Sequence, residues 1–130
     1  ISSDDFVNQN TSFGRGGSIR NLLVHIANTY EYWIGNIVLK KNIAYAKYEE
    51  NNNISDVIKL FSLVDEFMDE FIGNIDSLDV IEYEIQNIKN TAQPLKLFTH
   101  VITHEYHHKG QILSLGRHLN YIPVDTDIMR

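Results

Sequence analysis

His100, His104 and His108 recur every four residues in the stretch Leu95–Leu119, LKLFTHVITHEYHHKGQILSLGRHL, which holds five of the six histidines of the chain. On a helix that spacing lines them along neighbouring positions of one side. At about 100° per residue, Leu97, Val101, His104, His108, Gln111, Ile112, Leu115 and Leu119 share one face, so His104 and His108 lie inside an apolar stripe. Burial disfavours the imidazolium and keeps both rings neutral, the form a metal ion needs. Two buried imidazoles one turn apart, with no acid on the same line, are hard to satisfy by hydrogen bonds alone. A divalent ion at about 2.0–2.1 Å from each ring nitrogen satisfies both. The chain has no cysteine, so any ligands are nitrogen and oxygen. Imidazole suits Zn, Ni, Fe and Cu alike, and the residues do not choose among them.

A third ligand is available far upstream. His25 sits at the edge of an apolar stripe, one position before Ile26 and three after Leu22, where it can point toward a partner helix. Three histidines with open positions form the pattern of a catalytic site. Taken alone, a histidine such as His25 is more often an ordinary core or surface residue than a ligand. His100 falls toward the polar edge of the wheel, as a supporting residue. His107 and His118 point elsewhere, toward solvent. Gln111 shares the metal-bearing face and can orient a ligand or a bound water. Glu105 is a candidate supporting residue, and also the i, i+4 partner of Lys109. Gly110 inside a helix implies the close approach of another helix. Two further motifs fit these letters. His104-Glu105-Tyr106-His107-His108 is a formal HExxH, with Glu105 as general base of a metalloprotease, but Gln111 and Ser114 stand where the extended motif wants Gly and His. Glu105-x-x-His108 is also the ExxH of a di-iron bundle, which needs a second ExxH that no other helix offers.

The elements that position these residues follow from periodicity. Ile19, Leu22, Leu23, Ile26, Tyr30, Trp33, Ile34 and Ile37 predict a helix from Ser18, its N-cap, to about Leu39, with Asn28 and Glu31 on its outer face. Residues 40–53 lose the pattern and read as a flexible or turn-like connection. Ser55 is expected to cap the next helix, whose apolar face runs Val57, Leu60, Phe61, Val64, Phe67, Met68, Phe71 and Ile72. Asp65, Glu66, Asp69 and Glu70 make its other face acidic and solvated. Ile81, Tyr83 and Ile85 alternate with polar residues, so a short strand or extended arm is expected, after a turn at Asp76–Ser77. Thr91 is read as the cap of the last helix, Pro94 as a first-turn residue, and Asn120 as its left-handed end. Residues 1–17 read as an irregular lead-in with Phe6, Val7 and Phe13 as anchors. The tail is expected to pack through Tyr121 and Ile122.

Bulk properties set the outer limits. The 130 residues suit one domain, spanning 1–130, with a real core; 43% are hydrophobic and 22% charged. The net charge of −6 disfavours nucleic-acid binding and attraction to anionic membranes. No apolar run is long enough to span a bilayer and no signal peptide is visible, which makes a cytoplasmic location the default.

The segment THEYHHKGQILSLGRHLNYIPVDTD resembles the last helix and tail of the DinB-like (DinB/YfiT) proteins, which carry two histidines one turn apart followed by Arg-Gly-Gln. SFGRGGSIRNLLVHIANTYEYWI resembles that family's second helix, with His25 at its histidine and Trp33 at an aromatic position. The likeness runs from about Ser12 to Asp127. It implies an all-α four-helix bundle of up-down-down-up topology, a homodimer, and one divalent metal ion held by His25, His104 and His108. It also implies a first helix preceding Ser2–Phe6, upstream of this sequence. Relatives include thiol-dependent S-transferases, so transfer of a low-molecular-weight thiol to a small-molecule substrate is the leading expectation. Metal-dependent hydrolysis and a non-enzymatic, stress-associated metal-binding role are the alternatives. Lys109 stands where the family has Arg, which removes bidentate anion binding there.

Overall fold

A computed structural model describes residues 1–9 and 17–126. Its elements are a short helix α1 (Ser3–Val7), helix α2 (Ile19–Tyr30) continuing into a π-helical stretch (Glu31–Val38), helix α3 (Ile54–Asn74), a hairpin of β1 (Ile81–Ile85) and β2 (Ile88–Ala92), and helix α4 (Pro94–His118). The protein is mostly helical, yet the paired strands mean that it is not strictly all-α. No helix among the described residues is long and apolar enough to cross a membrane.

The helix starts follow capping chemistry. Gly17 takes a positive φ of 67°, and Ser18 Oγ then accepts from Asn21 N–H at 2.9 Å. Helix α3 is capped by Asn53 rather than Ser55. Asn53 Oδ1 accepts from Asp56 N–H at 2.9 Å, and Asp56 reaches back to Asn52 N–H at 3.1 Å. Ser55 lies inside the first turn, where its hydroxyl has no terminal N–H three residues ahead to serve. Thr91 is not the cap of α4 either, since it pairs with Glu82 in the hairpin. The strand runs on to Ala92, so only Gln93 separates it from Pro94 at the first helical position.

The lead-in is less irregular than its composition suggests. Ser2 caps α1 by accepting from Asp5 N–H. Phe6 is buried in a cluster with Ile19, Leu22, Val57 and Leu115, and Val7 packs against it. Phe13 lies outside the described residues. Tyr121 ties the tail to α1, donating to Asp5 Oδ2 at 2.6 Å and accepting from Ser2 N–H at 3.1 Å. Ile122 is 95% exposed and does not pack; Asn120, with φ 69°, turns the chain away after α4.

Side-chain pairs give the helix directions. Leu22 shares a cluster with Leu115, His25 meets His108, and Trp33 meets His100, so α2 and α4 run antiparallel. Leu22 clusters with Val57 while Gly35 approaches Phe67, so α2 and α3 run the same way. Phe71, near the end of α3, stacks on Phe98, near the start of α4, while Val57 clusters with Leu115, so α3 and α4 are antiparallel. These are the relative directions of the last three helices of an up-down-down-up bundle. The main core lies between them, with Ile26, Tyr30, Ile34, Phe67, Phe71 and Val101 among its buried members. Ile72, counted on the apolar face of α3, is half exposed.

Two regions differ from expectation in ways that shape the surface. The hairpin turns through Gln86 and Asn87, both at positive φ, the backbone of a tight two-residue turn. Its second strand, IKNTA, is exposed apart from Ala92, so no alternation marks it in the sequence. Residues 40–47 form neither helix nor strand, with Lys40 and Asn42 at positive φ, yet their backbone is held by side chains of the preceding helix. Asn28 brackets Ala46, accepting from its N–H at 2.9 Å and donating to its carbonyl at 3.1 Å. Asn36 brackets Ile43 in the same way, at 2.6 and 3.1 Å. Arg20 donates to Tyr48 O at 2.9 Å and Asn52 Oδ1 at 3.0 Å, which holds the next stretch.

Gly110 has no neighbour within 4 Å of where a Cβ would stand. The close helix approach expected there is absent among the described residues. Gly110→Ala should therefore stabilise the protein by about 0.5–1 kcal/mol through helix propensity and a less flexible unfolded chain. Urea unfolding measures this. A loss of stability would show that another surface abuts this face.

Candidate metal centre

The antiparallel contact of α2 and α4 brings His25, His104 and His108 together. One ligand-capable atom from each lies within 4.8 Å of the others. His25 Nε2 and His104 Nε2 are 3.0 Å apart, a distance at which ring nitrogens share a proton or flank a common ion. The ring centroids are 4.5–4.8 Å apart, with the planes steeply inclined. Three residues from two helices, 79 positions apart in the case of His25 and His104, can hold a metal ion here.

The electrostatics suit a cation ligand set. Burial, followed by the proximity of His108 and His25, pushes the His104 imidazole down to about 4 from its ordinary 6.5. The ring is therefore neutral at physiological pH, as a metal requires. His104 Nδ1 is buried with no hydrogen-bond partner, and an unsatisfied buried polar atom costs about 1–3 kcal/mol. His108 is oriented from within its own helix: its Nδ1 lies 2.6 Å from Gln111 Oε1. That acceptor requires the proton on Nδ1 and leaves Nε2 with a free lone pair. Thr29 Oγ donates to the His25 carbonyl at 3.0 Å and stands 3.5 Å from His104 Nε2.

The remaining candidates separate. His100 is exposed, packs edge-on against Trp33 and lies 6.4 Å, centroid to centroid, from His104; it is outside the ligand cluster. Trp33 also meets Tyr83 of β1, so the hairpin braces the α2 side of this edge. His107 and His118 are exposed. Glu105 forms no ion pair with Lys109. It accepts instead from the Tyr30 hydroxyl, while the Lys109 ammonium lies over the Tyr106 ring, 5.4 Å from its centroid. The i, i+4 pair loses to a phenol from α2 because Glu105 is turned inward. Burial first, and the bond to Glu105 second, push the Tyr30 hydroxyl far above its ordinary value, so it stays a donor. Sequence reasoning missed Tyr30 as a polar residue of the centre, since its position reads as plain core.

Glu31 is the larger surprise. Placed on the outer face by a regular wheel, it is 3% exposed, and both carboxylate oxygens lack a hydrogen-bond partner. Glu31 is in regular helical register, its N–H bonded to Ala27, just before the helix widens into the π-helical stretch; it is buried because the segment pinned by Asn28 and Asn36 covers that face. Burial pushes its carboxyl up to about 7, opposed by the Ala46 N–H, which is already committed to Asn28.

Compared with known proteins, the family model described as DinB family matches residues 1–130. No curated protein matches the chain.

Proposed function

Because the chain belongs to the DinB family and gathers three imidazoles between α2 and α4, we propose that it is a metal-dependent enzyme. Its centre is one divalent ion held by His25, His104 and His108, and its reaction is the transfer of a low-molecular-weight thiol to a small-molecule substrate. The observation that carries this reading is the cluster itself: three imidazole nitrogen donors with no fourth protein ligand in the group among the described residues. Such a set leaves coordination positions for water or substrate, whereas structural sites are closed by four protein ligands. When bound, the ion supplies Lewis acidity toward a thiolate or a water.

The chain's own residues do the positioning. Gln111 fixes the His108 ring and its tautomer through Nδ1. Tyr30 holds Glu105 through its hydroxyl on Oε2, which counts against Glu105 as the general base of an HExxH protease. The acting species is a homodimer, as the family resemblance implies.

The test is elemental analysis of protein purified without a histidine tag, followed by a screen of thiol cosubstrates with and without the metal found. One equivalent of a divalent metal and thiol consumption only in its presence are expected. Protein that takes up no divalent metal when loaded sinks the centre. Metal without any thiol-dependent turnover sinks the transferase assignment alone. Light scattering checks the dimer.

A further inference from the structure

A second site lies on the other side of α2. An open cavity of about 740 Å³ is walled by the segment 41–47, residues 50 and 51, and α3, with Glu31 among its lining residues; α4 contributes nothing to it. It is therefore separate from the histidine cluster. Its apolar wall is Ile43, Leu60, Leu63, Val64 and Phe67. Its one deeply buried charged group is Glu31, whose two carboxylate oxygens lack partners. Of the lining lysines, Lys41 is already paired, at 2.6 Å, with Glu70. Acidic residues outnumber lysines around the cavity, five to three.

We propose that this cavity binds a small organic ammonium ion, with its hydrocarbon body against the apolar wall and its N–H donors on the Glu31 carboxylate. A buried carboxylate without partners is costly, and removing that cost takes a ligand with donors and a positive charge. Charge-assisted hydrogen bonds to an ammonium meet both needs. An anionic ligand would meet Glu31 with like charge, and a purely apolar one would leave the oxygens unpaired. The wall is built to receive a body of that kind. Gly35 lets Ile43 come so close that a Cβ there would meet Ile43 Cδ1 at 2.6 Å, and Asn36 holds the Ile43 backbone in both directions. The segment therefore forms a fixed side wall of the cavity whose lining includes Glu31.

The probe is benzylammonium, with benzyl alcohol as the neutral analogue of equal size, followed at pH 8 by amide shift perturbation and calorimetry on the whole chain. Wild type is expected to bind benzylammonium saturably, at least about tenfold more tightly than benzyl alcohol, with shifts at Ala46, Val64 and Phe67. Glu31→Gln should erase the tenfold preference. Leu63→Trp, at a position 59% exposed and so safe for folding, should weaken both ligands by filling the cavity. No saturable binding to wild type, equal affinity for the two probes, or unchanged benzylammonium affinity in Glu31→Gln would each overturn the proposal.

Discussion

Replacing His104 with alanine is expected to abolish stoichiometric metal binding. His104 Nε2 stands 3.0 Å from His25 Nε2, and its ring centroid lies 4.5 Å from that of His108. Even residues that only orient metal ligands cost 10–100-fold in affinity when removed, so loss of a ligand should exceed about 100-fold. Gln111→Ala, which removes only the acceptor on His108 Nδ1, should fall inside that 10–100-fold range. His104→Ala should still fold, because alanine removes a buried Nδ1 that has no partner, which offsets part of the lost packing. Thermal unfolding then separates the two effects. At metal concentrations about 100 times Kd, wild type gains about 2.7 kcal/mol, or roughly 10 °C in Tm for a domain of this size. His104→Ala should gain nothing at that concentration. Full metal occupancy in His104→Ala would remove the basis for the site.

The second large effect is on stability against pH, and it resides in Glu31. Its folded-state carboxyl is raised to about 7 from 4.5, so between those values the native state binds more protons than the unfolded chain. The slope of unfolding free energy with pH is then negative. The contribution is fully present below about 4.5, and is lost as pH rises to about 7. Its size is on the order of 3 kcal/mol for a shift of this extent. Glu31→Gln should remove that slope and raise stability at pH 8 by roughly 2 kcal/mol, the glutamine amide retaining part of the burial cost. His104 works in the opposite sense. Its depressed value of about 4 makes the unfolded state bind more protons between 4 and 6.5, so its contribution is present above 6.5 and lost as pH falls. Denaturant titrations in chelator from pH 4.5 to 8.5, read as the difference between wild type and Glu31→Gln, isolate the Glu31 part. Parallel curves would show that Glu31 ionises normally.

These two residues mark the boundary between what the chain declares and what folding adds. The i, i+4 spacing of His104 and His108 inside an apolar stripe is legible by itself, because an α-helix fixes angular position within one segment. The same holds for the inward faces of α2 and α3, for Ser18 as a cap, and for Pro94 at a helix start. His25 was recoverable as a candidate because it borders an apolar stripe, and the family resemblance singled it out. Its proximity to His104 is a property of the antiparallel α2–α4 packing alone. Local periodicity cannot see the other features. Glu31 keeps its regular helical register, bonded through its N–H to Ala27, and is buried because residues 41–47 fold over the outer face it shares with Asn28. Asn28 reads as a surface residue until residues 40–47 fold back onto its amide. Glu105 faces a choice between Lys109 one turn along and Tyr30 on another helix, and burial beside the phenol decides it. By itself, then, the sequence determined which imidazoles could share an ion. Tertiary structure decided which charges were buried, because desolvation depends on what the rest of the chain places over a residue, and spacing along one helix carries no record of that.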